Sequence, residues 1–192
     1  MTHPTPAQVE LVVVGASAGG VSALRQLVGA LPADFVPPVV IVLHLPRDRP
    51  SLLVDVLRSV CALPVAEAVD KQALVPGRVY VAPPDYHLLV EDRGSLALSV
   101  DEPVLFSRPS IDVLFESAAD AFGADVLAIL LTGASADGSR GVAAIRAAGG
   151  SAWIQDPGDA EASFMPASAI AHAGADAVLT LDRITRRLAD LK

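Results

Sequence analysis

The chain has 192 residues, 52% of them hydrophobic and 19% charged, with a formal net charge of −8. Such a chain buries enough apolar surface in one domain to offset its ordering entropy, which excludes a disordered protein. The acidic balance leaves no footprint for nonspecific nucleic-acid binding. No apolar run reaches the ~18 residues of a membrane span, and no secretory signal is visible at the N-terminus, so a cytoplasmic protein is expected. The single cysteine, Cys61, excludes an intrachain disulfide and a thiolate-rich zinc site.

Aromatic residues are scarce and small aliphatic ones abundant, which favours helices packed closely on a sheet over a β-sandwich. Val9 to Val14 reads as a strand buried on both faces and ends at Gly15-Ala16-Ser17-Ala18-Gly19-Gly20. A helix follows, with Val21, Leu24, Leu27, Val28 and Leu31 inward, stopping near Pro32. Val39 to Leu43 is a second buried strand, ending at His44-Leu45-Pro46. Ser51 to Val60 is a short helix with Pro50 beside its first turn. The middle of the chain changes character, with short strands at Arg78 to Val81, Tyr86 to Glu91 and Leu96 to Val100, and a turn at Asp92-Arg93-Gly94. Ser110 caps a helix running to Phe122, with Val113, Leu114, Ser117, Ala118 and Ala121 inward. Asp125 to Leu131 is another buried strand, broken by Thr132 to Gly138, and a small-residue helix runs on to Ala148. Strand Ser151 to Ile154, a helix near Ala167 to Ala173, strand Ala177 to Leu181 and helix Arg183 to Leu191 complete the chain. The alternation predicts an α/β fold: three layers, doubly wound, a mostly parallel sheet, and an antiparallel hairpin excursion at one edge.

In such folds the site lies beyond the carboxyl ends of the strands. Three strands end in unusual loops carrying Ser17, His44 and Asp137, each a residue type of a nucleophile–base–acid triad. Gly15-Ala16-Ser17-Ala18-Gly19 fits G-x-S-x-G, in which a sharp turn exposes a serine hydroxyl and the next helix aims unpaired N–H groups at it. A phosphate or dinucleotide cradle over Gly15–Gly20 and a purely structural turn are competing readings, although Ser17 would replace the middle glycine of G-x-G-x-x-G. His44 is placed to act as general base. Asp137 is placed either to hold the His44 tautomer or to cap its own helix, and the two roles can coexist. The order Ser…His…Asp differs from that of lipases and esterases of the α/β-hydrolase type. Of the other histidines, His3 falls in the terminus, His172 on a helix surface, and His87 on the excursion.

The ordered set Val13-Val14-Gly15-Ala16-Ser17-Ala18-Gly19-Gly20, His44-Leu45-Pro46, Val81-Ala82-Pro83-Pro84-Asp85-Tyr86-His87-Leu88, Arg108-Pro109-Ser110-Ile111-Asp112-Val113-Leu114-Phe115, Leu131-Thr132-Gly133 with Asp137-Gly138, and Gln155-Asp156-Pro157 with Met165-Pro166 resembles the catalytic domain of the CheB chemotaxis receptor methylesterases. The resemblance implies hydrolysis of γ-glutamyl methyl esters on the cytoplasmic helices of methyl-accepting chemotaxis receptors, and deamidation of receptor glutamines. It implies nucleophile Ser17, base His44 and acid Asp137, with no metal or organic cofactor, no nucleic acid and no direct membrane insertion. It also implies one catalytic domain over 1–192 without the N-terminal receiver domain of full-length members. Ala134 stands where chemotaxis members commonly carry methionine near the oxyanion site. Arg108, His87 and Met165 are candidates for the cleft rim. The alternatives are an esterase or amidase of another signalling system, or a noncatalytic nucleotide- or phosphate-binding regulator.

Overall fold

A computed structural model describes residues 9–45 and 51–191. His3, Pro46 and Pro50 lie outside the described residues. Seven parallel strands form the central sheet in the order β3-β4-β2-β1-β7-β8-β9. They are β1 (Leu11–Ala16), β2 (Val39–Leu43), β3 (Val65–Glu67), β4 (Val79–Val81), β7 (Val126–Leu130), β8 (Ser151–Gln155) and β9 (Ala177–Leu179). The central strands β1, β2 and β7 are continuous apolar runs because both faces are covered, and every one of their residues is buried.

Two apolar clusters lie on opposite faces. Helices α1 (Gly20–Gly29), α2 (Leu53–Arg58) and α6 (Leu181–Ala189) join Val12, Val14 and Ile41 on one side. Helices α3 (Ile111–Phe122), α4 (Ser139–Ala147) and α5 (Phe164–Ala173) join Val13, Val40 and Ala128 on the other. The alternation of side chains along β1 therefore feeds both cores at once. The three-layer, doubly wound architecture is the one the strand–helix alternation predicts.

Three details differ from the sequence reading. The strand expected at Arg78 to Val81 is β4, a parallel member of the main sheet between β2 and β3; β3 is three residues long, too short to show a period. The antiparallel hairpin of β5 (His87–Asp92) and β6 (Ser95–Ser99) forms a two-stranded sheet of its own. It packs Leu88, Val90 and Leu96 into the same cluster as Leu114 and Phe115 of α3, and the Val90 N–H donates to Ser117 Oγ at 3.0 Å. Helix α3 is thus covered by the hairpin as well as the sheet, and α4 packs against it at Phe115, so Phe115, Ala119 and Phe122 are buried as well as Leu114 and Ala118. Finally, Val21 is not inward but 43% exposed. The buried stripe of α1 is Gly20, Ala23, Leu24, Leu27 and Val28, and Val21 is rotated off it.

Candidate active site

Strand β1 pairs in parallel with β2 on one side and β7 on the other. The chain leaves β1 through α1 to β2, whereas β7 is reached only much later, so the winding reverses between β1 and β7. A crevice opens at the carboxyl ends of strands at such a switch point. Backbone bonds fix the three loops that meet there. The His44 N–H donates to Ala16 O at 3.1 Å, the Ser17 N–H to Thr132 O at 2.9 Å, and the Leu131 N–H to Gly15 O at 2.9 Å.

Ser17 sits on a tight turn from β1 into α1, closed by the Gly20 N–H donating to Ser17 O at 2.8 Å. Gly19 adopts φ +76°, a left-handed conformation that favours glycine. A Cβ on Gly15 would fall 2.4 Å from Ile111 Cγ2, so the turn lies directly against the start of α3. No side chain caps α1, and Gly19, Gly20, Val21 and Ser22 at its N-terminus line a cavity of about 380 Å³ together with Ser17, His44, Arg25 and Glu161. The positive end of the helix dipole therefore faces the space beside the serine. Thr132 holds the turn from behind. Its Oγ1 donates to Ala18 O at 2.9 Å and accepts the Ala162 N–H at 2.8 Å, while its own N–H donates to Gln155 Oε1 at 2.9 Å.

His44 Nε2 lies 2.8 Å from Asp137 Oδ2. Asp137 is 0% exposed and accepts three further bonds: Ile111 N–H at 2.7 Å on Oδ2, and Ser110 Oγ–H at 2.8 Å and Asp112 N–H at 3.0 Å on Oδ1. Burial pushes the Asp137 carboxyl up, but the bonds from His44 and from the Asp112 and Ile111 amides outweigh it and hold the group below the usual carboxylate range. An ionised Asp137 accepts from Nε2–H and leaves the lone pair on Nδ1, which faces Ser107 Oγ at 3.5 Å. Among the described residues no hydrogen bond joins either ring nitrogen to Ser17 Oγ, although Ser17 and His44 share the cavity.

Asp137 does not cap its own helix. The N-cap of α4 is Gly138, and the carboxylate that serves α4 is Asp112, whose Oδ1 accepts the Gly138 and Gly141 N–H groups, each at 2.8 Å. Helices α3 and α4 thus exchange caps: an acid of the β7–α4 loop serves α3, and an acid of α3 serves α4. Ser110 completes the set, donating to Asp137 and accepting the Val113 N–H at 3.4 Å.

Two of the three proposed rim residues, His87 and Met165, turn inward, and Arg108 is partly buried. His87 is 1% exposed, accepting the Ser110 N–H on Nδ1 at 3.1 Å and donating from Nε2 to Glu102 O at 3.1 Å. Met165 is fully buried beneath Gly133. Arg108 is bonded to Asp85, Val100 O and Asp101 O. Residues missed in the sequence are Thr132, which lay inside a quoted motif without a role attached, and Glu161; Ser110 is the N-cap the sequence predicts, and its bond to Asp137 is the part not foreseen. Among the described residues no three His, Cys, Asp or Glu side chains gather to hold a metal, and no helix is long and apolar enough to cross a membrane.

A family model described as CheB methylesterase matches residues 12–188. A Leptospira interrogans relative is 42% identical over 175 residues, 91% of each chain. A Cereibacter sphaeroides protein-glutamate methylesterase/protein-glutamine glutaminase of group 3 operon is 40% identical over 189 residues, covering 97% of this chain and 51% of its own. The chain therefore spans most of one relative and about half of the other. The crystal structure of the Thermotoga maritima CheB methylesterase catalytic domain superposes with a TM-score of 0.90 at 32% identity, covering 95% of this chain and 98% of that one. With fold and sequence in agreement, the chain belongs to the CheB methylesterase family.

Proposed function

We propose that this protein hydrolyses γ-methyl esters of glutamate side chains on chemotaxis receptors, and deamidates glutamines there, with Ser17 as nucleophile, His44 as general base and Asp137 as the orienting acid. The observation that carries the reading is the His44–Asp137 bond at 2.8 Å beside a cavity that Ser17 also lines. The Asp137 carboxylate keeps the proton on Nε2, so Nδ1 is the basic nitrogen. This is the reverse of the assignment in serine proteases of the chymotrypsin kind, where Nε2 serves the serine.

In the first half-reaction Ser17 swings toward Nδ1, its Oγ bonds to the ester carbonyl carbon, and its proton passes to Nδ1. Apo geometry at such pairs is commonly loose and tightens with substrate bound. Negative charge collects on the former carbonyl oxygen, where the uncapped N–H groups at the start of α1 stabilise it. The bond to the methoxy oxygen then breaks, and Nδ1 returns the proton to release methanol; with glutamine the same proton leaves on ammonia. In the second half Nδ1 takes a proton from water, the hydroxide adds to the acyl carbon, and Ser17 leaves with that proton. The product is the free γ-carboxylate.

The phosphate-cradle alternative meets an electrostatic obstacle. A Cβ on Gly19 would fall 2.8 Å from Glu161 Oε2, so a carboxylate already stands over the loop where a pyrophosphate would have to approach. The direct test is methanol release from a methylated receptor cytoplasmic fragment. Ser17→Ala should lower the rate by about 10⁴-fold or more while the circular dichroism spectrum is unchanged. A variant retaining activity would overturn the assignment.

A further inference from the structure

We infer that Arg25 is a specificity-determining residue, whose guanidinium pairs with a free carboxylate on the substrate helix one turn from the esterified glutamate that reaches Ser17; the substrate rests on the function proposed above. Val21, Ser22 and Arg25 stand at spacings i, i+1 and i+4 on the exposed face of α1, away from the buried stripe of Ala23, Leu24, Leu27 and Val28. All three line the cavity that Ser17 and His44 share. Each Cα–Cβ bond of a helix tilts toward its N-terminus, so the Arg25 stem leans back toward the serine. Arg25 follows Gly20 by about 7.5 Å along the helix axis.

Its charge has no acidic partner among the described residues, and α1 carries no Asp or Glu at all. The chain is otherwise rich in acids, 22 against 14 lysines and arginines. Arg58, Arg93, Arg108, Arg140, Arg146 and Arg186 are each ion-paired with one. Of the described arginines left without an acid, Arg25 is the one that lines this cavity. Glu161 supplies the opposite charge. Its Oε2 stands 2.8 Å from where a Gly19 Cβ would lie, over the turn that carries the serine, and no ion pair joins it to Arg25. The side chain presented to Ser17 must therefore be uncharged, as an ester or amide is, whereas a carboxylate is favoured one turn further along α1. Residues three or four apart on a helix have Cβ atoms about 5–6 Å from each other, comparable with the advance from Gly20 to Arg25. An acid at that spacing reaches the guanidinium while the ester reaches the serine. The site thus selects esters that have an unesterified acidic neighbour.

The experiment uses helical peptides with one glutamate γ-methyl ester and either Glu or Ala four residues away, on each side in turn, and reads methanol release. The net charge of −8 opposes the acidic peptide at a distance, so a preference for it has to come from a local cation. Wild type should favour the Glu peptide roughly 3- to 5-fold in kcat/KM, expressed in KM, as suits an exposed ion pair. Arg25→Gln should bring that ratio to one or below, Arg25→Glu should lower it further, and Arg25→Lys should keep most of it. Partial unfolding would slow both peptides alike and leave the ratio unmoved, so the ratio reads the contact and not the fold. A wild-type ratio of one on both sides, or the same ratio in wild type and Arg25→Gln, would overturn the inference. So would weaker product inhibition in Arg25→Gln with the peptide ratio unchanged, since the guanidinium would then serve the product carboxylate. If wild type hydrolyses none of the peptides, the hydrolase reading fails; their affinities for wild type and Arg25→Gln, read by fluorescence anisotropy, still decide the contact.

Discussion

Asp137 shows how a single side chain is made into a dependable carboxylate. Four donors converge on it, three of them from the first turn of α3 and its cap. Its carboxyl is held below the usual range despite burial, so its contribution to stability is complete above the unfolded value of ~3.9 and is lost only as pH falls through the lowered folded value. Denaturant titrations should therefore show the stability gap between wild type and Asp137→Asn constant from pH 7 to about pH 4.5 and shrinking below ~3.9. The same variant should lose on the order of 10⁴-fold in kcat, because the amide no longer fixes the proton on Nε2. Glu161, which lines the cavity with Ser17, has a smaller expected role: if the proposed product carboxylate forms there, Glu161→Gln should strengthen product inhibition about two- to fivefold, measured by adding glutamyl peptide, as fits an exposed charge. Ser17, His44 and Asp137 were legible because each interrupts an apolar strand with a polar or glycine-bearing loop. Thr132 and Glu161 were not, and Ser110 was legible only as a cap, since a hydroxyl's second partner and a glutamate on a surface loop show nothing in a sequence until the fold brings their partners.

At the level of elements, the buried strands and most helix positions followed from apolar runs and their stops. The inward face of α3 did not. Periodicity placed Val113 and Ser117 inward, yet Phe115, Ala119 and Phe122 are the buried ones because α4 and the β5–β6 hairpin flank sides of the helix that a two-layer reading leaves wet, α4 lying against Phe115 and the hairpin meeting Ser117. Pro166 likewise lies in the first turn of α5, where its missing N–H is harmless, so the helix starts at Phe164 and not after the proline. The exchange of caps binds α3 to α4 at their starts, and Gly141 lets them approach further on: a Cβ there would fall 2.5 Å from Phe115 Cβ. Gly141→Ala should destabilise the protein by about 1–3 kcal/mol, read as a lowered urea midpoint, because two backbones must separate. Ser110→Ala should cost about 1 kcal/mol through the lost cap. It should also reduce kcat with little change in KM, since it withdraws a donor from Asp137.

At the scale of the molecule, the sheet order creates the site. Placing β1 between β2 and β7 brings residues 17, 44 and 137 to one rim although the chain separates them widely. The net charge of −8 works against encounter with an acidic protein, so kcat/KM on an acidic receptor fragment should rise as salt is increased from about 10 to 150 mM, over which the Debye length shortens from ~30 to ~8 Å. The capping of Asp137 by α3 has one more consequence. A locally opened chain keeps the Asp137 side chain but lacks the Ile111 and Asp112 amides that hold its carboxyl down, so the acid takes its lowered range only when that helix seats.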